Sequence, residues 1–127
     1  MSNDPILFVD DDLISRLLNC AVLRECGFEV LEARSYAEAC RLIEEHRCLT
    51  ALVTSVDLAS QVNGFDLSRC ARVANAHIPV VYLSGANVHR YFADGVSGSR
   101  FIPRPFDPHQ IVRALDAAAP LAPAGLE

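Results

Sequence analysis

Short apolar runs that alternate with helical stretches constrain this chain more than any other feature. Pro5 to Val9, Leu49 to Ser55, Pro79 to Leu83 and Phe101 to Ile102 are too short for helices and almost unbroken in their apolar or β-branched character. That is the pattern of strands covered on both faces. Phe28 to Glu32 alternates instead, and predicts a further strand. Between these runs the spacing becomes helical. Leu13 to Cys26 offers Leu13, Leu17, Cys20, Ala21 and Leu23 (or Arg24) to a core, and Gly27 follows as a stop. Ser35 with Glu38 reads as a capping box for a helix that turns Ala39, Leu42 and Ile43 inward and ends near Arg47. Asn63-Gly64 closes the loop after the third strand, and Phe65 to Ala74 offers Phe65, Leu67 or Ser68, Ala71 and Val73. Asn87 to Ala93 is a short, weakly apolar helix, and Gly95 to Gly98 a loop. Asp107 caps the last helix, with Pro108 in its first turn and Ile111, Val112 and Leu115 inward. Five strands alternating with five helices predict an α/β fold with a parallel sheet and right-handed crossovers. Periodicity leaves the strand order open.

At 127 residues, 51% of them hydrophobic, the chain has the size and composition of one globular domain. We expect that domain over 1–119, followed by a disordered tail over 120–127. The net charge of −5 argues against direct nucleic-acid binding, which needs a basic face. All eleven basic residues are Arg. No run approaches the ~18 apolar residues of a membrane span. The N-terminus has no signal-peptide pattern, which leads us to expect a cytoplasmic protein. The five cysteines show no metal or redox spacing, and buried free thiols are expected. His46, His77, His89 and His109 are scattered, without ligand spacing.

Polar residues collect where the predicted strands end. Asp10-Asp11-Asp12 follows the first, Ser55 ends the third, Ser84 follows the fourth and Arg104 follows the fifth. Parallel strands bring these ends to one edge, the usual place for chemistry in such sheets. Clustered carboxylates there suit a hard divalent cation such as Mg²⁺. Helix capping accounts for one Asp of the three. Ser84-Gly85 alone fits an ordinary turn. Pro103 and Pro105 on either side of Arg104 restrict its backbone, and Arg104–Pro105 is a candidate cis peptide.

The motifs Leu-Phe-Val-Asp-Asp-Asp (7–12), Leu-Val-Thr-Ser-Val-Asp-Leu (52–58), Asn-Gly-Phe-Asp-Leu (63–67), Pro-Val-Val-Tyr-Leu-Ser-Gly (79–85) and Phe-Ile-Pro-Arg-Pro-Phe (101–106) stand in this order and spacing. Together they resemble the receiver domains of two-component response regulators, from Ile6 to about Ala118. The resemblance implies a flavodoxin-like (βα)5 sandwich with strand order 2-1-3-4-5. It implies that Asp10 and Asp11 bind Mg²⁺, aided by the backbone carbonyl of Asp57. It assigns the phosphate-acceptor position to Ser55, the switch positions to Ser84 and Phe101, and the phosphate-pairing position to Arg104 before a cis Pro105. Its usual partners are a sensor histidine kinase and an output protein, the latter on the face formed by roughly 86–117; a homodimer is a further expectation.

Two of these positions depart from the family pattern. Ser55 stands where an Asp accepts phosphate, and Arg104 stands where a Lys pairs with it. Asp57 is an alternative acceptor, at the expense of the motif's register. A hydroxyl is a poor nucleophile near pH 7 without a base, and loss of a carboxylate leaves any Mg²⁺ weakly held or absent. Arg104 stays charged and offers a planar fork, so its guanidinium is expected to reach Asp10 or Asp11 and partly replace the metal. These features favour a non-enzymatic pseudo-receiver that acts through protein contacts. A Ser55 variant of an otherwise working receiver is one alternative. A phosphatase resembling the haloacid dehalogenases is another, prompted by the Asp run; Leu13-Ile14 and the lone Asp107 depart from that family's pattern.

Overall fold

The computed structural model describes residues 4–59, 61–85 and 88–117. The predicted tail, 120–127, and residue Asn87 lie outside them. The elements are β1 (Ile6–Val9), α1 (Leu13–Glu25), β2 (Val30–Ala33), α2 (Tyr36–Glu45), β3 (Ala51–Ser55), α3 (Gly64–Ala74), β4 (Val80–Ser84), α4 (Val88–Asp94), β5 (Arg100–Pro103) and α5 (His109–Ala117). The five strands form one parallel sheet in the order β2-β1-β3-β4-β5. This is the expected flavodoxin-like sandwich. Among the described residues no helix is long and apolar enough to cross a membrane.

β1, β3 and β4 are buried throughout, because helices cover both faces of the sheet. Alternation along each strand divides the core in two. Leu7, Val9, Leu52, Val80 and Tyr82 face one cluster with α2 and α3 residues. Ile6, Phe8, Val53, Val81 and Leu83 face the other with Cys20, Leu23, Ile111 and Leu115.

The helices turn inward largely where the spacing indicated. Ala39, Ile43, Phe65, Ala71, Ile111 and Leu115 are buried. On α1 the inward stripe is narrower. Cys20 and Leu23 are buried, Ala21 is exposed, and Leu13 and Leu17 are 54% and 49% exposed. Asn19 takes a core-side place because its side chain donates to the Ser15 carbonyl, 2.8 Å. Val73 is 89% exposed, since α3 meets the sheet through Phe65, Leu67, Ser68 and Ala71. All five cysteines are free, but only Cys20 is buried; burial pushes its thiol up to about 12. His77 and His109 are exposed, and His46 is half-buried.

The caps differ in detail from the sequence reading. Ser35 accepts from Glu38 N–H as predicted, yet the Glu38 carboxylate accepts from Arg34 N–H. A complete box, absent from the sequence reading, caps α3. There Asn63 accepts from Phe65 and Asp66, and Asp66 accepts from Asn63 N–H, 2.9 Å. Asp107 accepts from His109 N–H at 2.8 Å, and Gln110 Oε1 accepts from Asp107 N–H at 2.8 Å, which starts α5.

Two buried contacts carry measurable stability. The Tyr82 hydroxyl lies 2.6 Å from Ser68 Oγ and accepts from Val96 N–H at 3.0 Å. Tyr82→Phe leaves that N–H without its partner, so a loss of about 1–3 kcal/mol is expected in urea unfolding. Gly64 begins α3 directly beneath the end of β3. A Cβ there would overlap the Ser55 carbonyl oxygen and lie 3.0 Å from Val56 Cα. Both are backbone atoms and have little room to yield. Gly64→Ala is therefore expected to lower unfolding stability by about 2–3 kcal/mol.

Candidate functional site: an arginine-bridged acid pocket

The carboxyl ends of β1, β3, β4 and β5 converge. Asp10 extends β1 by donating its N–H to Ala33 O at 3.0 Å, and it is 1% exposed. Ser55 ends β3 opposite Leu83 and is 2% exposed. Ser84 ends β4 and is fully buried. Its carbonyl accepts from Arg104 N–H at 2.8 Å, which fixes the loop after β5 against β4. The Arg104–Pro105 peptide is cis, as the sequence suggested.

One atom then links the site. Arg104 Nη2 donates to Asp10 Oδ2 at 3.1 Å and to Ser55 Oγ at 2.9 Å. The Arg104 side chain is 33% exposed, and its guanidinium carbon lies 5.9 Å from the centre of the Phe106 ring. Asp10, rather than Asp11, is the partner; Asp11 is exposed.

Two of the three aspartates, Asp10 and Asp12, divide the local bonding between them. Asp12 is the N-cap of α1, with Oδ1 accepting from Ile14 and Ser15 N–H at 3.0 and 3.3 Å. Asp10 Oδ1 accepts from Asp12 N–H at 3.0 Å, while Oδ2 takes Arg104. Arg16 adds a second cation near the pocket. It donates to Asp10 O at 2.8 Å and to Glu32 Oε1 at 3.2 Å.

These bonds bear on whether the residues fit a metal. Mg²⁺ prefers six oxygens in near-octahedral array. Both Asp10 carboxylate oxygens already accept hydrogen bonds, one of them from a cation. The third-strand position supplies a neutral hydroxyl that also accepts from that cation. Among the described residues no group of three His, Cys, Asp or Glu could hold a metal ion. In this arrangement the Asp10 and Ser55 oxygens that face the pocket are taken up by Arg104.

The remaining predicted site residues take separate places. Phe101 is half-buried on β5 and stacks obliquely with Tyr91, 5.2 Å between ring centres. Asp57 is exposed, two residues beyond the end of β3. Arg16 and Phe106 were missed by sequence reasoning. Arg16 stands one helical turn past Asp12, which was the available signal; Phe106 had none, because its role depends on where the Arg104 guanidinium lies. An exposed apolar face flanks the pocket. Leu13, Ile14, Leu17 and Leu18 are 49–63% exposed. Ile14 and Leu18 share a groove of about 360 Å³ with Arg104, Pro105 and Phe106.

The doubly wound parallel sheet thus gathers an acid, a hydroxyl and a cation at its carboxyl edge, where such folds place their sites. The chain belongs to the response regulator receiver domain family, whose model matches residues 6–116. It is a receiver domain of two-component signalling. Solved structures agree. A response regulator receiver protein from Sinorhizobium medicae is 27% identical with a TM-score of 0.86, covering 91% of this chain and 93% of the other. The receiver domain of the hybrid histidine kinase CckA is 29% identical with a TM-score of 0.76, covering 90% and 97%. The receiver domain of a sensor histidine kinase from Pseudomonas aeruginosa PAO1, solved with a magnesium ion in its active-site cleft, is 21% identical with a TM-score of 0.76, covering 91% and 96%. No curated protein matches the chain.

Proposed function

We propose that this receiver domain is held in one state by Arg104 and acts through protein contacts, without accepting phosphate at Ser55. The observation that carries the reading is the single Arg104 nitrogen donating to both Asp10 and Ser55. Phosphoryl transfer to a receiver needs a nucleophile and a metal to neutralise developing charge. Ser55 Oγ is protonated near neutral pH, and its neighbour Arg104 cannot take the proton. A metal would have to displace a guanidinium from a buried carboxylate. Mg²⁺ is accordingly a weak ligand or none, and the domain has no turnover of its own.

The partners that suit the family are a sensor histidine kinase and an output protein, in the cytoplasm. Phe92 on α4 is 82% exposed, which supports the output face over 86–117, for a partner or for a second copy of this chain. A titration of the labelled protein with millimolar Mg²⁺, followed by NMR, tests the reading. Arg104 Nε–Hε and the amides of Asp10, Asp11 and Ser55 are expected to keep their positions, apart from the small linear drift of rising ionic strength. A saturable shift at these four residues, with release of the Arg104 side chain, would overturn it.

A further inference from the structure

The outer face of α1 is apolar, although it faces solvent. Leu13, Ile14, Leu17 and Leu18 are each about half exposed or more, and Ala21 is exposed beside them. Ile14, Leu17, Leu18 and Ala21 follow the i, i+3, i+4, i+7 spacing of one stripe. Cys20 and Leu23 are buried on the side turned to the sheet. The four large side chains leave roughly 400 Å² of apolar surface open, a patch of the size that often serves a contact. On one flank the stripe runs into the groove where Ile14 and Leu18 meet Arg104, Pro105, Phe106 and Pro108.

We propose that this face joins two copies of the chain, α1 against α1 about a two-fold axis. Such an interface must be complementary to itself, and α1 is. With the helices antiparallel and the axis between Leu17 and Leu18, Leu17 faces the partner's Leu18, and the large Ile14 faces the partner's small Ala21. Large meets small at both ends of the seam, so the side chains can interdigitate. One turn further out, the partner's Glu25 comes level with the start of the first helix, where Arg104 holds Asp10. Glu25 is exposed, and the Arg104 side chain is one-third exposed. Arg104 serves Asp10 and Ser55 through Nη2 alone, so the outer edge of its planar fork can receive that carboxylate. Symmetry makes this contact twice. An apolar centre with opposite charges at each end favours a second copy over an unrelated helix. The rim of Pro105, Phe106 and Pro108 brings the buried area to about 600 Å² per copy, the low end of specific interfaces, so the dimer is weak and reversible. The interface reaches the guanidinium that bridges the pocket, and it stands independently of whether Ser55 accepts phosphate. α1 itself lies outside the 86–117 face, which leaves α4 and its exposed Phe92 open to another partner.

Sedimentation equilibrium of the full chain, with a reductant present to prevent disulfide-linked species, tests the proposal. Over loadings from about 10 µM to about 1 mM, a reversible monomer–dimer equilibrium is expected, with a dissociation constant of about 100 µM. Leu18→Glu sets a charge in the centre of the seam and is expected to weaken the dimer at least about tenfold. Glu25→Arg sets cation against cation and is expected to weaken it about threefold to tenfold. Phe92→Glu is expected to leave the association unchanged. All three positions are exposed, so the variants are expected to fold with the urea midpoint of the parent. A parent chain that stays monomeric at the highest loading would overturn the proposal. So would a dimer that Phe92→Glu abolishes and Leu18→Glu leaves intact.

Discussion

Arg104→Ala is expected to lower the unfolding free energy by about 2–3 kcal/mol, read from urea denaturation. The substitution leaves Asp10, 1% exposed, without the cation at its Oδ2. Stranding one member of a fully buried ion pair costs about 3–5 kcal/mol. Arg104 is 33% exposed, so solvent screens part of that interaction and the lower end applies. Arg16 reaches the Asp10 carbonyl and moderates the cost further. An ordinary surface pair would give under about 1 kcal/mol, and a loss that small would mean that Arg104 does not hold the pocket. Arg104→Lys keeps the charge but gives up the planar fork, and is expected to fall between.

The double variant Ser55→Asp with Arg104→Lys is expected to gain phosphoryl labelling from acetyl phosphate in Mg²⁺, and the parent chain is expected to show none. The first change supplies a carboxylate nucleophile and a third charge for the metal. The second replaces a cation bonded to both Asp10 and Ser55 by a compact, flexible ammonium. Adding one carboxylate beside a partly exposed divalent ion is worth roughly 1–4 kcal/mol at an effective dielectric near 20. Mg²⁺ affinity should therefore rise at least about fivefold. Ser55→Asp alone is expected to label more slowly, because Arg104 still competes for Asp10. Labelling of the single variant as fast as the double would show that Arg104 is no barrier. Silence of both would place the loss of activity outside these two positions.

Much of the fold was legible because strand and helix periods differ so sharply in this chain. Uninterrupted runs such as Val80–Ser84 need helices on both faces, and their regular alternation with helices gives the parallel class. Strand order came from the family resemblance, since no local pattern states which strands are neighbours. The α1 face was misread because Leu13, Ile14, Leu17 and Leu18 satisfy helical spacing as well as Cys20 and Leu23 do. Two apolar stripes compete on that helix, and the choice rests on packing against β1, β2 and α5 that no local window contains. Asn19 added to the ambiguity, as its burial depends on a bond to its own preceding turn.

The site was legible by residue type, and its wiring was not. Sequence placed Asp10, Ser55 and Arg104 at one sheet edge and left Asp10 and Asp11 as equal candidates for Arg104. The pleat separates them. Asp10 continues the sheet and points into the pocket, while Asp11 turns to solvent. Asp12 as a cap was visible in outline, since one of three acids before a helix had that role available. The full capping box at Asn63 and Asp66 was overlooked because Asn63-Gly64 also fits a turn.

The intact mass of the unsubstituted protein after incubation with acetyl phosphate and Mg²⁺ gives the most direct test of the central claim, that an internal guanidinium occupies the place of metal and phosphate. An unchanged mass is expected, under conditions in which a receiver with the usual Asp is labelled in parallel. A gain of one phosphoryl group, mapped to Asp57 or Ser55, would contradict it.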